Sequence, residues 1–247
     1  MATTKKTVLI TGSTRGIGLA FAQHYVKSGW NVIGTARANS NTERLAALEP
    51  FKIVTLDTSD EASIIEAAHQ LEGVAIDLLI NNAGVGIPGE LLSTTKDAMM
   101  RQFEVNTIGP FLVTRALLPN LHLAAKLHGT AFVVQLASLI GSIGNLTAET
   151  APMFKDAIYG YGSSKAAVNM IARALSVELK ASNIVVVSVH PGYVDTEMTQ
   201  GKGVVKSTDS VKSMTDFITK LAPEHSGKFF NLDPEIPSGP SVAELPW

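Results

Sequence analysis

The chain has 247 residues, 45% of them apolar and 17% charged, with 20 glycines, 11 prolines and no cysteine. So large an apolar fraction excludes wholesale disorder, and the missing cysteines exclude a disulfide scaffold, a thiolate metal site and a cysteine nucleophile together. Twenty basic against 22 acidic side chains leave a formal charge of −2, which offers no global attraction to nucleic acid or anionic lipid.

From the N-terminus, Met1 to Lys6 lack the apolar stretch of a signal peptide. Thr7 to Thr11 is a compact apolar run that stops at Gly12, and a helical pattern follows from Gly16 to Lys27. The next strands read as Asn31–Ala36 and Lys52–Asp57, with a helix over Glu61–Leu71, then a strand over Asp77–Asn81. Two helical stretches fill Thr95 to Leu127, and Thr130–Leu136 is a fifth strand. The most apolar run, Ala131 to Ile140, is about half the length of a bilayer span. Tyr161–Lys180 is helical, Ile184–Val189 a sixth strand and Gly227–Phe230 a short seventh. The expectation is a cytoplasmic protein that engages neither membrane nor nucleic acid.

Near-continuous Val/Ile/Leu runs suit strands buried on both faces. Their alternation with helices predicts an α/β fold, a doubly wound, mostly parallel Rossmann-type sheet of six to seven strands with helices on both faces. No repeat or linker divides the chain, so residues 1–247 read as a single domain. Two stretches look irregular, residues 142–158 and the proline-rich tail 234–247. Each is either a surface loop or, like 193–212, a wall of a substrate cleft. Met198, Met214 and the helix between them read equally as a lid over that cleft or a surface helix.

After the first strand comes Thr11-Gly12-Ser13-Thr14-Arg15-Gly16-Ile17-Gly18. Gly12 permits a tight turn, Gly16 admits close approach of a pyrophosphate, and Gly18 lets the new helix pack on the sheet. Backbone N–H groups at that helix start, with the positive end of its dipole, bind phosphate.

This glycine spacing resembles the short-chain dehydrogenase/reductase superfamily. The resemblance extends in order to Asn81-Asn82-Ala83-Gly84, Val105-Asn106-Thr107-Ile108-Gly109, Ser138-Leu139-Ile140-Gly141, Tyr161-Gly162-Ser163-Ser164-Lys165 and Pro191-Gly192-Tyr193-Val194-Asp195-Thr196. It covers roughly residues 7–200. The stretches Tyr159–Lys165 and His190–Val194, with the tail Ala243-Glu244-Leu245-Pro246-Trp247, resemble the C-factor/sniffer-like carbonyl reductase branch.

That resemblance implies a nicotinamide dinucleotide held by Gly12, Ser13, Thr14, Arg15, Gly16, Ile17 and Gly18, and by Arg37, Asp57, Asn82, Ala83, Gly84, Tyr161, Lys165, Pro191, Gly192, Val194 and Thr196. An acid at the end of the second strand would repel a 2′-phosphate. The stretch Thr35-Ala36-Arg37-Ala38-Asn39-Ser40 has no carboxylate before Glu43. Arg37, with Arg15, favours NADP(H).

Tyrosine and lysine four apart on a helix share a face, and an ammonium beside a phenol is expected to lower its pKa from about 10. Tyr161 could then give a proton to a carbonyl oxygen as hydride arrives at carbon. By resemblance Ser138 hydrogen-bonds that oxygen, Lys165 also holds the nicotinamide ribose, and Asn106 supports a proton path to Lys165. The catalytic set is therefore Asn106, Ser138, Tyr161 and Lys165.

Ser138 and Tyr161 stand 23 positions apart, a longer interval than the family pattern has, so the extra segment must loop out beside the site. Tyr159 is out of helical phase with Lys165, and His190 reads as structural. Gly-x-Ser-x-Gly is absent, which sets hydrolysis aside. His122 and His128 lack a neighbouring carboxylate motif, so no metal site is expected. The resulting expectation is an NADPH-dependent reductase of aldehydes, ketones or quinones, assembled as a homodimer or homotetramer. The alternative is a nucleotide-sensing or signalling protein of the same fold with little turnover.

Overall fold

The computed structural model describes residues 5–235 and 243–247. The start of the signal-peptide reading (residues 1–4) and part of the proline-rich tail (236–242) lie outside them. Among the described residues there are eight strands: β1 (Thr7–Ile10), β2 (Asn31–Ala36), β3 (Lys52–Thr55), β4 (Leu78–Asn81), β5 (Ala131–Leu136), β6 (Ile184–His190), β7 (Phe229–Asn231) and β8 (Ala243–Glu244). They form one sheet in the order β3-β2-β1-β4-β5-β6-β7-β8. All neighbours pair parallel except β7 and β8, which are antiparallel. The eighth strand is one more than the six or seven expected. It belongs to the tail, where Ala243 and Glu244 form an edge strand free of proline.

Both faces of the sheet are covered, and the strand residues alternate between two cores. Val8 and Ile10 of β1 face α1 (Gly16–Lys27) and α8 (Ser207–Ile218), while Leu9 faces the opposite core. That second core is closed by α3 (Glu61–His69), α5 (Gly109–Ala116), α6 (Leu118–His128) and α7 (Ser163–Glu178). A short α2 (Glu43–Ala46) adds Leu45 to the first core. Doubly buried strands have no polar face, which is why they read as continuous apolar runs. Met214 of α8 is fully buried against the sheet, so α8 is a core helix rather than a lid.

Two helical expectations change. Between Thr95 and Leu127 there are three helices, not two: α4 (Lys96–Phe103), α5 and α6. Pro119 has no N–H to continue α5, and Leu117 leaves helical geometry at φ −94°, ψ 8°. A π turn at Glu104–Ile108 also separates α4 from α5. A second π turn, Ile158–Gly162, precedes α7. Tyr161 therefore sits in a widened turn and not on the regular helix that carries Lys165. π turns are rare and concentrate at functional positions; these two hold Asn106 and Tyr161.

The strand order reverses at β1, which has β2 on one side and β4 on the other. The crevice beyond the carboxyl ends of strands at such a reversal is where open α/β sheets take ligands.

Candidate active site

The glycine turn opens that crevice. Gly12 and Gly16 adopt φ +65° and +53°, a left-handed conformation that disfavours side chains. A Cβ on Gly18 would stand 2.3 Å from the Gly12 carbonyl oxygen and 2.6 Å from Asn82 Nδ2. Asn82 braces the turn, donating from Nδ2 to the carbonyls of Thr11 at 2.8 Å and Gly12 at 3.2 Å. The Thr11 hydroxyl accepts the N–H groups of Asn82 and Ala83. The first turn of α1 carries no side-chain cap, leaving its N–H groups and dipole for an anion. Such a cradle fits the pyrophosphate of a dinucleotide.

The individual residues fare differently. Ser13 is fully buried; its hydroxyl both donates to the Thr35 carbonyl and accepts the Thr35 N–H, and its own N–H donates to the Thr35 carbonyl, so it fastens the turn to β2. Arg15 is exposed and ion-paired with Glu197 at 2.6 Å. Thr196 lies against Gly16, its Cγ2 3.3 Å from where a Cβ would stand. A bridge between Val194 and Val205 and the Thr199 hydroxyl on the Val194 carbonyl shape the same loop. Gly192 has φ +90° beside the Asp233 carboxylate, and the Pro191 carbonyl accepts from Ser210.

Arg37 follows β2 and Asp57 follows β3, on the far side of β1 from β4 to β6. Burial tends to raise the Asp57 pKa, but bonds from the Ser59 amide and hydroxyl, with the charges of Arg37 and Arg101, bring it below the ordinary value. Asp57 does not cap α3; Asp60 does, accepting from the Ala62 N–H.

Beyond β4 and β5 the second group converges. Ser138 starts a tight turn, Leu139–Gly141, after β5. It shares a hydrogen bond with the Tyr161 phenol. Lys165 is 4% exposed and donates from Nζ to the Leu136 carbonyl at 2.6 Å, with Nζ 5.5 Å from the Tyr161 ring centre. Asn106 Oδ1 accepts the Val85 N–H, and its Nδ2 donates to the Val85 carbonyl and the Ser164 hydroxyl. A Cβ on Gly84 would lie 3.2 Å from Asn106 Oδ1 and 3.8 Å from Lys165 Nζ. Met198 reaches the same point from the loop after β6, close to Gly84 and Gly86, and Gly86 in turn borders the Tyr161 ring.

The electrostatics overturn one expectation. Burial raises the Tyr161 pKa to about 12, and the Ser138 hydrogen bond offsets this only in part. Desolvation brings Lys165 down to about 8. The ammonium points to a main-chain carbonyl rather than to the phenol oxygen, so desolvation outweighs its pull on Tyr161. A phenol with that value keeps its proton throughout the neutral range.

Sequence reasoning passed over Ser164, Gln102 and the Leu136 carbonyl. Gln102 Oε1 accepts the Ile87 N–H, and a Cβ on Gly160 would come within 2.1 Å of its Nε2. No motif announces such partners, which are neighbours through tertiary packing. Tyr159, in the π turn with Tyr161, is exposed. His190 is buried, and desolvation takes its pKa down to about 4 although the Asp233 charge opposes this.

The sequence profile of a family described as short chain dehydrogenase matches residues 6–204. C-signal of Myxococcus xanthus is 36% identical over 173 residues, covering 70% of this chain and 93% of that protein. The structure of NADPH-bound carbonyl reductase from chicken fatty liver is similar with a TM-score of 0.82 and 34% identity, covering 92% of this chain and 96% of that one. Carbonyl reductase Sniffer of D. melanogaster is similar with a TM-score of 0.86 and 26% identity, over 98% of this chain and 100% of that one.

Proposed function

The chain belongs to the short-chain dehydrogenase family, and from that premise we propose that it is an NADP(H)-dependent reductase of aldehyde, ketone or quinone carbonyls, with Tyr161 as proton donor. The observation that carries this reading is the convergence of Ser138, Tyr161, Lys165 and Asn106 beside a glycine cradle. The solved chicken reductase, similar over nearly the whole chain, is bound to NADPH, which supports the same cofactor here.

When bound, the dinucleotide supplies a hydride to the carbonyl carbon. Its phosphates would rest on the turn from Gly12 to Gly18, with Arg37 and Arg15 toward a 2′-phosphate. Asp57, the backbone of Asn82, Ala83 and Gly84, and Pro191, Gly192, Val194 and Thr196 complete the binding set. Tyr161, protonated throughout the neutral range, donates its proton to the carbonyl oxygen, although burial makes it a weaker acid than a free phenol. Ser138 hydrogen-bonds that oxygen as negative charge develops. The Lys165 ammonium supports the phenolate left behind, and Asn106 holds Val85 and Ser164 in place around it.

On the same reading, residues 1–247 are one dinucleotide-binding domain in a cytoplasmic homodimer or homotetramer. Exposed Ile108, Met170 and Val177 on the α5/α7 side offer an apolar face for assembly. No helix among the described residues is long and apolar enough to cross a membrane.

The likeness to C-signal favours one second reading, a signalling protein with little turnover. Loss of NADPH absorbance with a panel of aldehydes, diketones and quinones separates the two. Turnover with at least one class is expected, abolished by Tyr161→Phe with cofactor affinity unchanged. Binding of NADPH without turnover on any substrate sinks the reductase reading.

A further inference from the structure

The segment Ala243–Trp247 grips the chain on both sides of Ser138. Its strand β8 pairs with β7, setting Glu244 opposite Phe230 and Ala243 opposite Asn231. The Leu245 N–H donates to the Phe229 carbonyl at 2.7 Å, and Glu244 meets Lys228 at 3.1 Å. Leu245 packs on a small core of Ala137, Val168 and Phe229. Ala137 immediately precedes Ser138, and Val168 lies one turn beyond Lys165 on α7. One side of the grip therefore bears on both the serine and the helix.

The other side bears on the loop after Ser138. The Gly144 N–H donates to the Trp247 carbonyl at 2.8 Å, and the Ser142 hydroxyl donates to the Pro246 carbonyl. A Cβ on Gly144 would stand 3.0 Å from Pro246 Cβ. The Trp247 ring stacks on Phe229 with centres 5.9 Å apart and planes inclined by 22°. Between this contact and Ser138 lies Gly141, so tightly set on α7 that a Cβ there would be 2.7 Å from the Lys165 carbonyl carbon. Asn169 Nδ2 donates to the Gly141 carbonyl at 3.3 Å.

We infer that residues 243–247 are a brace that holds Ser138 in register with Tyr161, and that Trp247 is a positioning residue for the reaction. The inference rests on the reductase reading above for its kinetic consequence alone. The brace acts from the sheet edge, remote from the glycine cradle, so it bears on the carbonyl side of the site and leaves the phosphate-binding turn untouched. Residues 142–146 form local turns of their own, and the tail adds the contacts that tie this loop to the sheet edge.

The test compares Trp247→Ala, Trp247→Phe and Leu245→Ala in the full chain. Turnover of phenanthrenequinone is measured beside NADPH affinity by fluorescence and amide hydrogen exchange by mass spectrometry. Trp247→Ala is expected to lower kcat by about 10- to 100-fold, the scale on which a small misplacement acts, with the NADPH Kd unchanged. Exchange should quicken across 138–146 and stay as it was across 7–20. Trp247→Phe keeps a ring on Phe229 and should restore most of kcat; Leu245→Ala should fall between. If Trp247→Ala exchanges like the parent across 138–146, or keeps the parent kcat while the parent is active, the brace is overturned. A parent without turnover of phenanthrenequinone or of any other carbonyl in the panel above refutes the reductase reading instead, and the exchange contrast then decides the brace by itself.

Discussion

Asn106 donates from Nδ2 to the Ser164 hydroxyl at 3.0 Å, and that hydroxyl donates onward to the Tyr161 carbonyl at 2.7 Å. Ser164 thus ties the π turn of Asn106 to the π turn of Tyr161. Thr107 adds a second tie, its hydroxyl on the Ser164 carbonyl. Removal of the Ser164 oxygen leaves the Tyr161 carbonyl without that donor, at a fully buried residue. Ser164→Ala is expected to lose about 1–2 kcal/mol in urea unfolding and to slow turnover more than it weakens NADPH binding. Parent-like kcat in a variant of lowered stability would show that the tie is structural only.

Lys165 has a folded-state pKa of about 8, below its ordinary value near 10.5. Between those values the unfolded chain binds more protons than the folded one, so this group makes stability rise with pH. Its contribution is fully present above about 10.5 and is lost as pH falls through 8, on the order of 3 kcal/mol in all. Tyr161, raised to about 12, acts oppositely above pH 10. The stability of wild type relative to Lys165→Met should therefore climb between pH 8 and 10. Reductase activity should decline over the same range as the ammonium is lost. A flat stability difference across that range contradicts the assigned desolvation.

Arg15 is held by Glu197, and an exposed pair of this kind is worth little by itself. On the proposed NADP(H) reading, a 2′-phosphate would compete for the same guanidinium. Glu197→Gln is thus expected to tighten NADPH binding a few-fold and leave NADH nearly unaffected, with the gain vanishing in the Arg15→Gln background. Arg37→Asp should shift the ratio of kcat/KM toward NADH. Equal effects of Glu197→Gln on both dinucleotides would remove Arg15 from the selectivity set.

His190 is buried with Nδ1 unpartnered among the protein groups, and burial depresses its pKa to about 4. The unfolded chain takes up its proton first as pH falls below about 6.5, so stability drops from there and the loss is complete once pH has passed through 4. His190→Asn should flatten that part of the acid unfolding curve, read by circular dichroism. Persistence of the full slope would assign the acid sensitivity to other groups.

The strand runs, the start and end of α1, and the order of motifs were readable because they rest on local rules. A strand buried on both faces must be apolar throughout, and a turn with positive φ selects glycine at positions 12 and 16. The same rules place Ser138 and Tyr161 at chain positions, but not at their mutual geometry. Helical spacing placed Tyr161 on one face with Lys165; the π turn at Ile158–Gly162 set it one widened turn earlier. That turn is kept by Gln102 against Gly160 and by Ser164 under Asn106, contacts between segments about 60 positions apart, as with Asn106 and Ser164.

Composition and pattern alone determined that this chain folds as a parallel α/β sheet with an anion-ready glycine turn, since hydrophobic period and backbone freedom are properties of consecutive residues. Tertiary structure decided how acidic the phenol is, where the lysine points, which partner Arg15 takes and that residues 243–247 return to the loop after Ser138. Desolvation and hydrogen bonding depend on which remote groups surround an atom, and no run of neighbours along the chain encodes that.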